Sequence, residues 1–172
     1  MRDPSSQLAQ KDIFDKARAL AVAALVAAAA AAVIGSFLDW VTINERPGIA
    51  PDVDFGSQAV EEPEFSEPYS GVDARDGWIV IVAGLVLALG AAGLAIRRRK
   101  VYALLAFIAA MVVGGIAFAD YRAIGDVSSG ISDRMEIIGD PEPAIGITLV
   151  AVAGVVGLAG SVTALVATPS DR

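Results

Sequence analysis

"GLAIRRRKVYALL", residues 93–105, places four consecutive cations between two apolar runs. The run before it, residues 77–96, and the run after it, residues 101–119, contain no Asp, Glu, Lys or Arg. A helix needs roughly 20 apolar residues to cross a hydrocarbon core of about 30 Å. The stretch therefore reads as two membrane spans joined by a tight basic turn at 97–100. So short a turn makes the two spans antiparallel neighbours.

Two further windows repeat the pattern. Residues 19–38, "ALAVAALVAAAAAAVIGSFL", form the first span, and residues 143–168 form the fourth. All 13 basic and 20 acidic residues lie in the connecting segments, an arrangement that water-soluble helices do not need. Composition agrees: 55% of the 172 residues are hydrophobic and 19% charged, against about 45–50% and about 25% in soluble domains. Mean hydropathy is +0.61.

Charge asymmetry sets an expected orientation. Residues 1–18 carry Arg2, Lys11, Lys16 and Arg18 against Asp3, Asp12 and Asp15. The turn is Arg97, Arg98, Arg99 and Lys100. Segment 39–76 holds ten acids and two bases, Arg46 and Arg75, and segment 120–142 holds six acids and two bases, Arg122 and Arg134. Basic and acidic segments alternate. The expectation is a bacterial plasma membrane protein with segment 1–18, turn 97–100 and tail 169–172 in the cytoplasm and both acidic loops outside. Arg97, Arg98, Arg99 and Lys100 act as topology anchors beside anionic inner-leaflet lipid, worth about 1 kcal/mol per basic residue. Trp40, Trp78 and Tyr121 fall at the outer ends of spans, where amphipathic rings favour the interface.

Asp3 and Pro4 give the N-terminal segment a helix start. It reads either as an interfacial helix on the cytoplasmic leaflet or as an extension of span one. From the long polar stretch before span one and the lack of one clear small-residue cleavage site, the expectation is an uncleaved span.

Small residues at spacing four suit close helix packing. Ala106, Ala110 and Gly114 line span three, and Ala153, Gly157 and Ser161 line span four.

The chain has no Cys and no His. Disulfides, thiolate metal sites, the commonest metal ligand and the usual general base are thereby excluded. The spans contain no Asp, Glu, Lys, Arg or His, and their polar side chains are hydroxyls, among them Ser36, Thr148, Ser161 and Thr163, so a proton relay has no carboxylate, amine or imidazole there. In the first outer loop, Asp52, Asp54, Glu61, Glu62 and Glu64 could bind Ca²⁺, but no metal-binding spacing supports it and a solvated acidic surface is the simpler reading. "WVTIN", residues 40–44, reads as a short strand leaving the membrane, and Asp126, Asp133 and Asp140, each near a Gly, read as turn residues.

"GSFLDWV" at the end of span one, "SGVDARDGW" at the start of span two and the Arg-rich turn together resemble a loosely defined group of four-span membrane proteins of high-GC actinobacterial type. Members of that group often carry Pro at the position of Asp39. The resemblance covers the first three spans and implies a cell-envelope location without implying a reaction.

The expected fold is an all-α, four-transmembrane-helix antiparallel bundle with a small extracytoplasmic cap and both termini inside. The expected function is non-catalytic and without a cofactor: an accessory or scaffolding subunit that binds another membrane protein complex, such as respiratory or envelope-building machinery. The alternative is binding or transport of a small apolar molecule or lipid by a homo-oligomer. Membrane lipid and another membrane protein, or a second copy, are the expected partners; nucleic acid is not.

Overall fold

Apolar runs punctuated by charge become four helices. A computed structural model describes residues 4–45, 69–73, 76–130 and 139–168. The elements are α1 (Pro4–Phe37), β1 (Asp39–Glu45), β2 (Tyr69–Ser70), α2 (Asp76–Arg97), α3 (Lys100–Gly130), β3 (Gly139–Pro143) and α4 (Ile145–Ala167). Asp76 in the first turn and Arg97 in the last turn of α2 complement its macrodipole. All four helices are long and apolar enough to cross a membrane, which makes this by length and composition a multi-pass membrane protein.

Each helix packs against its sequence neighbours, and α1 closes the ring against α4. The alternating direction of the helices gives the bundle two ends. The α2–α3 turn, the start of α1 and the end of α4 share one end, called here the turn end. The strands lie at the other, the sheet end.

The side-chain pattern is inverted relative to a water-soluble bundle. Much of the interior is small: Ala28, Ala32, Ala91, Ala106, Ala110 and Ala153 are buried, around a few fully buried large residues such as Leu25, Leu87 and Leu94. Large apolar side chains instead cover the outside, among them Leu89, Ile96, Ile108, Val155 and Val166. Lipid is as apolar as the core, so little is gained by burying those residues; close packing of small ones holds the helices together. At the α3–α4 crossing the backbones come close. A Cβ placed on Gly154 would lie 2.6 Å from the Gly114 Cα, and one on Gly157 would lie 3.0 Å from the Ala110 Cβ. At the sheet end of the α1–α4 contact, Gly35 and Gly146 face each other's backbone.

The cap contains a three-stranded antiparallel sheet in the order β2-β1-β3. The strand expected over 40–44 is present as β1. Thr42 stands opposite Glu142, with Val41 opposite Pro143 and Ile43 opposite Pro141. The Ala144 N–H donates to the Trp40 carbonyl at 2.9 Å. Strand alternation then turns the N–H groups of Glu142 and Asp140 toward β1. The outward positions 141 and 143 are both proline and have no N–H to offer. Among the described residues β3 is an edge strand, and these prolines blunt it against addition of another strand.

Several boundaries differ from the expectation. The expected strand at 40–44 pairs with a second one, β3, not expected at 139–143, and the two satisfy each other's backbone where the chain leaves α1 and enters α4. Helix α3 continues past 119 to Gly130, so the segment 120–142 begins as helix; no Pro interrupts it before 141. Asp126 lies inside α3 and Asp140 inside β3, so neither is a turn residue. Asp133 lies outside the described residues. Helix α4 starts at 145, two residues after the expected 143, because 139–143 is committed to β3. Helix α1 is unbroken over 34 residues, which makes the N-terminal segment an extension of span one.

Two glycine substitutions test the packing. Gly154→Ala should destabilise the bundle by about 1–3 kcal/mol, the usual cost of overpacking. Gly115 has nothing within 4 Å of an added Cβ, so Gly115→Ala should be neutral or stabilising by up to about 1 kcal/mol. Thermal unfolding of both variants in one detergent checks the contrast.

Candidate functional site

The sheet end is built around the last turn of α1. A helix ends with carbonyls that have no partner within the helix, and at a membrane boundary they need one. The Gly35 carbonyl accepts the Trp40 indole N–H at 2.8 Å and the Leu38 N–H at 3.3 Å. The Ser36 carbonyl accepts the Val72 N–H at 3.0 Å, while the Ser36 hydroxyl donates back to Ala32 at 2.9 Å. The Gly71 carbonyl accepts the Gly77 N–H at 2.9 Å, serving a donor in the first turn of α2. With the Ala144–Trp40 bond, one short network ties together the ends of α1, α2 and α4.

Trp40 is the centre of that network. It is 3% exposed, and Gly71 lies directly on its ring, where any Cβ would overlap the indole. Trp40 does stand at the end of its span. Its ring faces protein rather than the lipid interface, because the indole N–H serves the end of α1. Trp78 at 57% and Tyr121 at 54% exposure do face outward. The Arg122 guanidinium lies 5.6 Å from the centroid of the exposed Phe118 ring, close enough for a cation–π contact.

Two carboxylates flank the network. Asp76 starts α2, and Asp120 lies on α3. One Asp120 oxygen is buried without a hydrogen-bond partner among the described residues. The Ser70 hydroxyl donates to Asp73 at 2.6 Å, closing the turn that carries Gly71. No three acidic side chains converge among the described residues. The acids proposed for Ca²⁺, Asp52 to Glu64, lie outside those residues.

At the turn end, Arg97, Arg98 and Arg99 are exposed and Lys100 is half-buried. Arg18 donates to Asp15 at 2.8 Å, and Arg98 approaches the same carboxylate oxygen at 3.9 Å. Between the two ends, Gly157 of one stripe lies against Ala110 of the other, while Ala106 lies against Gly90 of α2. Ala106, Ala110, Ala153, Gly157 and Ser161 are buried, with Gly114 half-buried against Gly154. Sequence reasoning did not single out Gly35, Gly71, Gly146 or Gly154. Their importance comes from what crosses them, and in a chain with 17 glycines composition does not separate them from the rest.

The span hydroxyls do not assemble a polar passage. Ser161 is buried and donates to Leu158 at 2.9 Å, whereas Thr148 is exposed and Thr163 half-buried, each bonded to its own helix at Ala144 and Ala159.

These features define a four-helix membrane bundle braced at one end by a small sheet. No family model matches the chain, and no curated protein or solved structure matches it.

The two tryptophans should report their surroundings separately. In Trp40→Phe, the remaining Trp78 should be quenched by brominated lipid. In Trp78→Phe, the remaining Trp40 should be shielded from it. Trp40→Phe should also cost about 1–3 kcal/mol in thermal unfolding through the lost hydrogen bond and packing, with Trp78→Phe within about 0.5 kcal/mol of wild type.

Proposed function

We propose that this chain is a non-catalytic accessory or scaffolding subunit of another membrane protein complex. It would lie in a bacterial plasma membrane with both termini cytoplasmic. The observation that carries the reading is the N-terminal part of α1. Its 34 residues extend about 51 Å at about 1.5 Å per residue, well beyond the roughly 30 Å of a hydrocarbon core. The surplus projects from the turn end as a helical arm, on which Ile13 is 65% and Phe14 39% exposed. An apolar pair on a projecting helix suits docking against a partner.

The bundle interior supports the same choice over transport. Ser161, buried within α4, and Ser36, buried in the last turn of α1, are used up on their own helices, and the buried Thr168 lies past the end of α4. The centre is filled by residues such as Leu25, Leu87 and Val113. A passage for a small molecule has no polar lining along that route. The positive turn end and acidic outer segments support the orientation.

The cysteine-free background makes the orientation directly testable. An impermeant maleimide applied to intact cells should label Ser57→Cys and leave Ser5→Cys unlabelled until the membrane is permeabilised. Labelling of Ser5→Cys in intact cells would invert the assignment.

Mild-detergent purification of the tagged protein, with native mass measurement and mass spectrometry, tests the function. Stoichiometric recovery of a larger membrane complex is expected, and Ile13→Ser/Phe14→Ser should lose it without altering the thermal unfolding of the bundle. A solitary protein, or a homo-oligomer carrying bound lipid, would overturn the accessory reading.

A further inference from the structure

The residue after α2 is in an unusual conformation. Arg98 has φ of 53°, in the left-handed region. Glycine is the usual occupant of that position after a helix, because a side chain there is disfavoured. Placing an arginine there aims a guanidinium back toward α1. Its Nη1 lies 3.9 Å from the Asp15 Oδ1, which also accepts the Arg18 Nη2 at 2.8 Å. Arg18 is only 12% exposed along its side chain, so Asp15 and Arg18 form a fixed bracket beside Arg98.

One carboxylate shared by two guanidiniums leaves this end strongly positive. Between Gln10 and Arg18 and across the turn stand Lys11, Lys16, Arg18, Arg97, Arg98, Arg99 and Lys100, with Asp12 and Asp15 as the only acids. Lys16 and Asp12 pair with each other at 2.8 Å. The excess therefore concentrates at the α2–α3 turn.

Depth identifies what that charge meets. Only Arg98 and Arg99 separate α2 from α3. Ile96 and Val101, immediately beside the basic run, are 79% and 60% exposed on the apolar outside of the bundle. Arg97, Arg98 and Arg99 thus lie within about one helical turn of side chains that face lipid tails. The first phase within their reach is the headgroup layer rather than bulk water.

We propose that the α2–α3 turn is a binding site for the phosphate headgroup of an anionic phospholipid, held by Arg97, Arg98 and Arg99, with Asp15 and Arg18 positioning Arg98. Planar guanidinium forks match phosphate oxygens in pairs. The site is independent of the accessory reading and would exist equally in a solitary protein.

The test uses the full-length protein, delipidated in neutral detergent and given equal amounts of phosphatidylglycerol and phosphatidylcholine, with bound lipid read by native mass spectrometry. Wild type should retain phosphatidylglycerol preferentially. Arg98→Gly keeps a residue suited to the left-handed turn and should weaken that retention about five-fold, the equivalent of about 1 kcal/mol per basic residue. Adding Arg97→Gln and Arg99→Gln should weaken it by roughly a further 30-fold on the same scale. Lys16→Gln, on the arm, should change it less than two-fold (about 0.4 kcal/mol). Arg98→Lys keeps the charge but loses the fork, so it should fall between wild type and Arg98→Gly; it carries the test if Arg98→Gly fails to unfold like wild type. Equal retention of both lipids by wild type would overturn the site. So would equal losses in Arg98→Gly and Lys16→Gln, which would mean diffuse charge. Displacement of the lipid by equimolar inorganic phosphate or by an RNA oligonucleotide would show a soluble anion to be the ligand and would also overturn it.

Discussion

Close approach of helix backbones is the constraint on which this molecule depends. Helices in lipid gain little by hiding large apolar side chains from a solvent that is itself apolar. Dispersion contacts and short interaxial distances must hold them together, and both require small residues where helices cross. Gly114 against Gly154, Gly157 against Ala110, and Gly35 against Gly146 provide those crossings. Glycine inside a helix costs about 1 kcal/mol relative to alanine in water. Here the absent Cβ is what lets the neighbouring chain come near, so the local cost is offset across the interface. The same logic places many of the large apolar side chains outside, such as Leu89, Ile108 and Val155, where lipid covers them.

A second requirement is felt where the helices end. Their last carbonyls and first amides need partners at the edge of the apolar layer. The sheet end meets that need compactly. Trp40 serves Gly35, Val72 serves Ser36, and the Gly71 carbonyl serves Gly77. The buried indole serves the end of α1, and backbone bonds beside it tie in the starts of α2 and α4. The pair of prolines on the outer edge of β3, an edge among the described residues, disfavours the addition of another strand, since positions 141 and 143 have no donors.

The two ends differ in kind as well as charge. The sheet end is acidic and closed by backbone pairing. The turn end is basic, tied to α1 through the oxygen that Asp15 shares with Arg18 and Arg98, and extended by a helical arm. The functional proposals follow from that difference. A bundle packed to its centre presents its chemistry at its ends and along its outside, so partners and lipids meet it there rather than inside it.

The number of helices, their apolar character and the basic turn between α2 and α3 were legible in the chain itself. Membrane spans declare themselves through length and the exclusion of charge, both local properties, and a four-residue basic run allows only a tight reversal. The strand at 40–44 showed for the same reason, in a local alternation. Other features needed the tertiary structure because they depend on which segments meet. Trp40 has the sequence context of an interfacial aromatic and becomes a core residue only because the end of α1 requires a donor. Gly71 matters because that indole lies on it, and Gly154 because Gly114 crosses it; neither fact is encoded at its own position. The extension of α3 to Gly130 and the left-handed Arg98 were likewise hidden, since an outer segment rich in charge reads as loop and an arginine gives no sign of a backbone usually reserved for glycine. The sequence by itself determined the medium the chain occupies and the order of its spans, because those follow from hydropathy summed along the chain. Which residues touch was decided only by the folded bundle, because in an apolar solvent helix contacts depend on shape rather than on hydrophobicity.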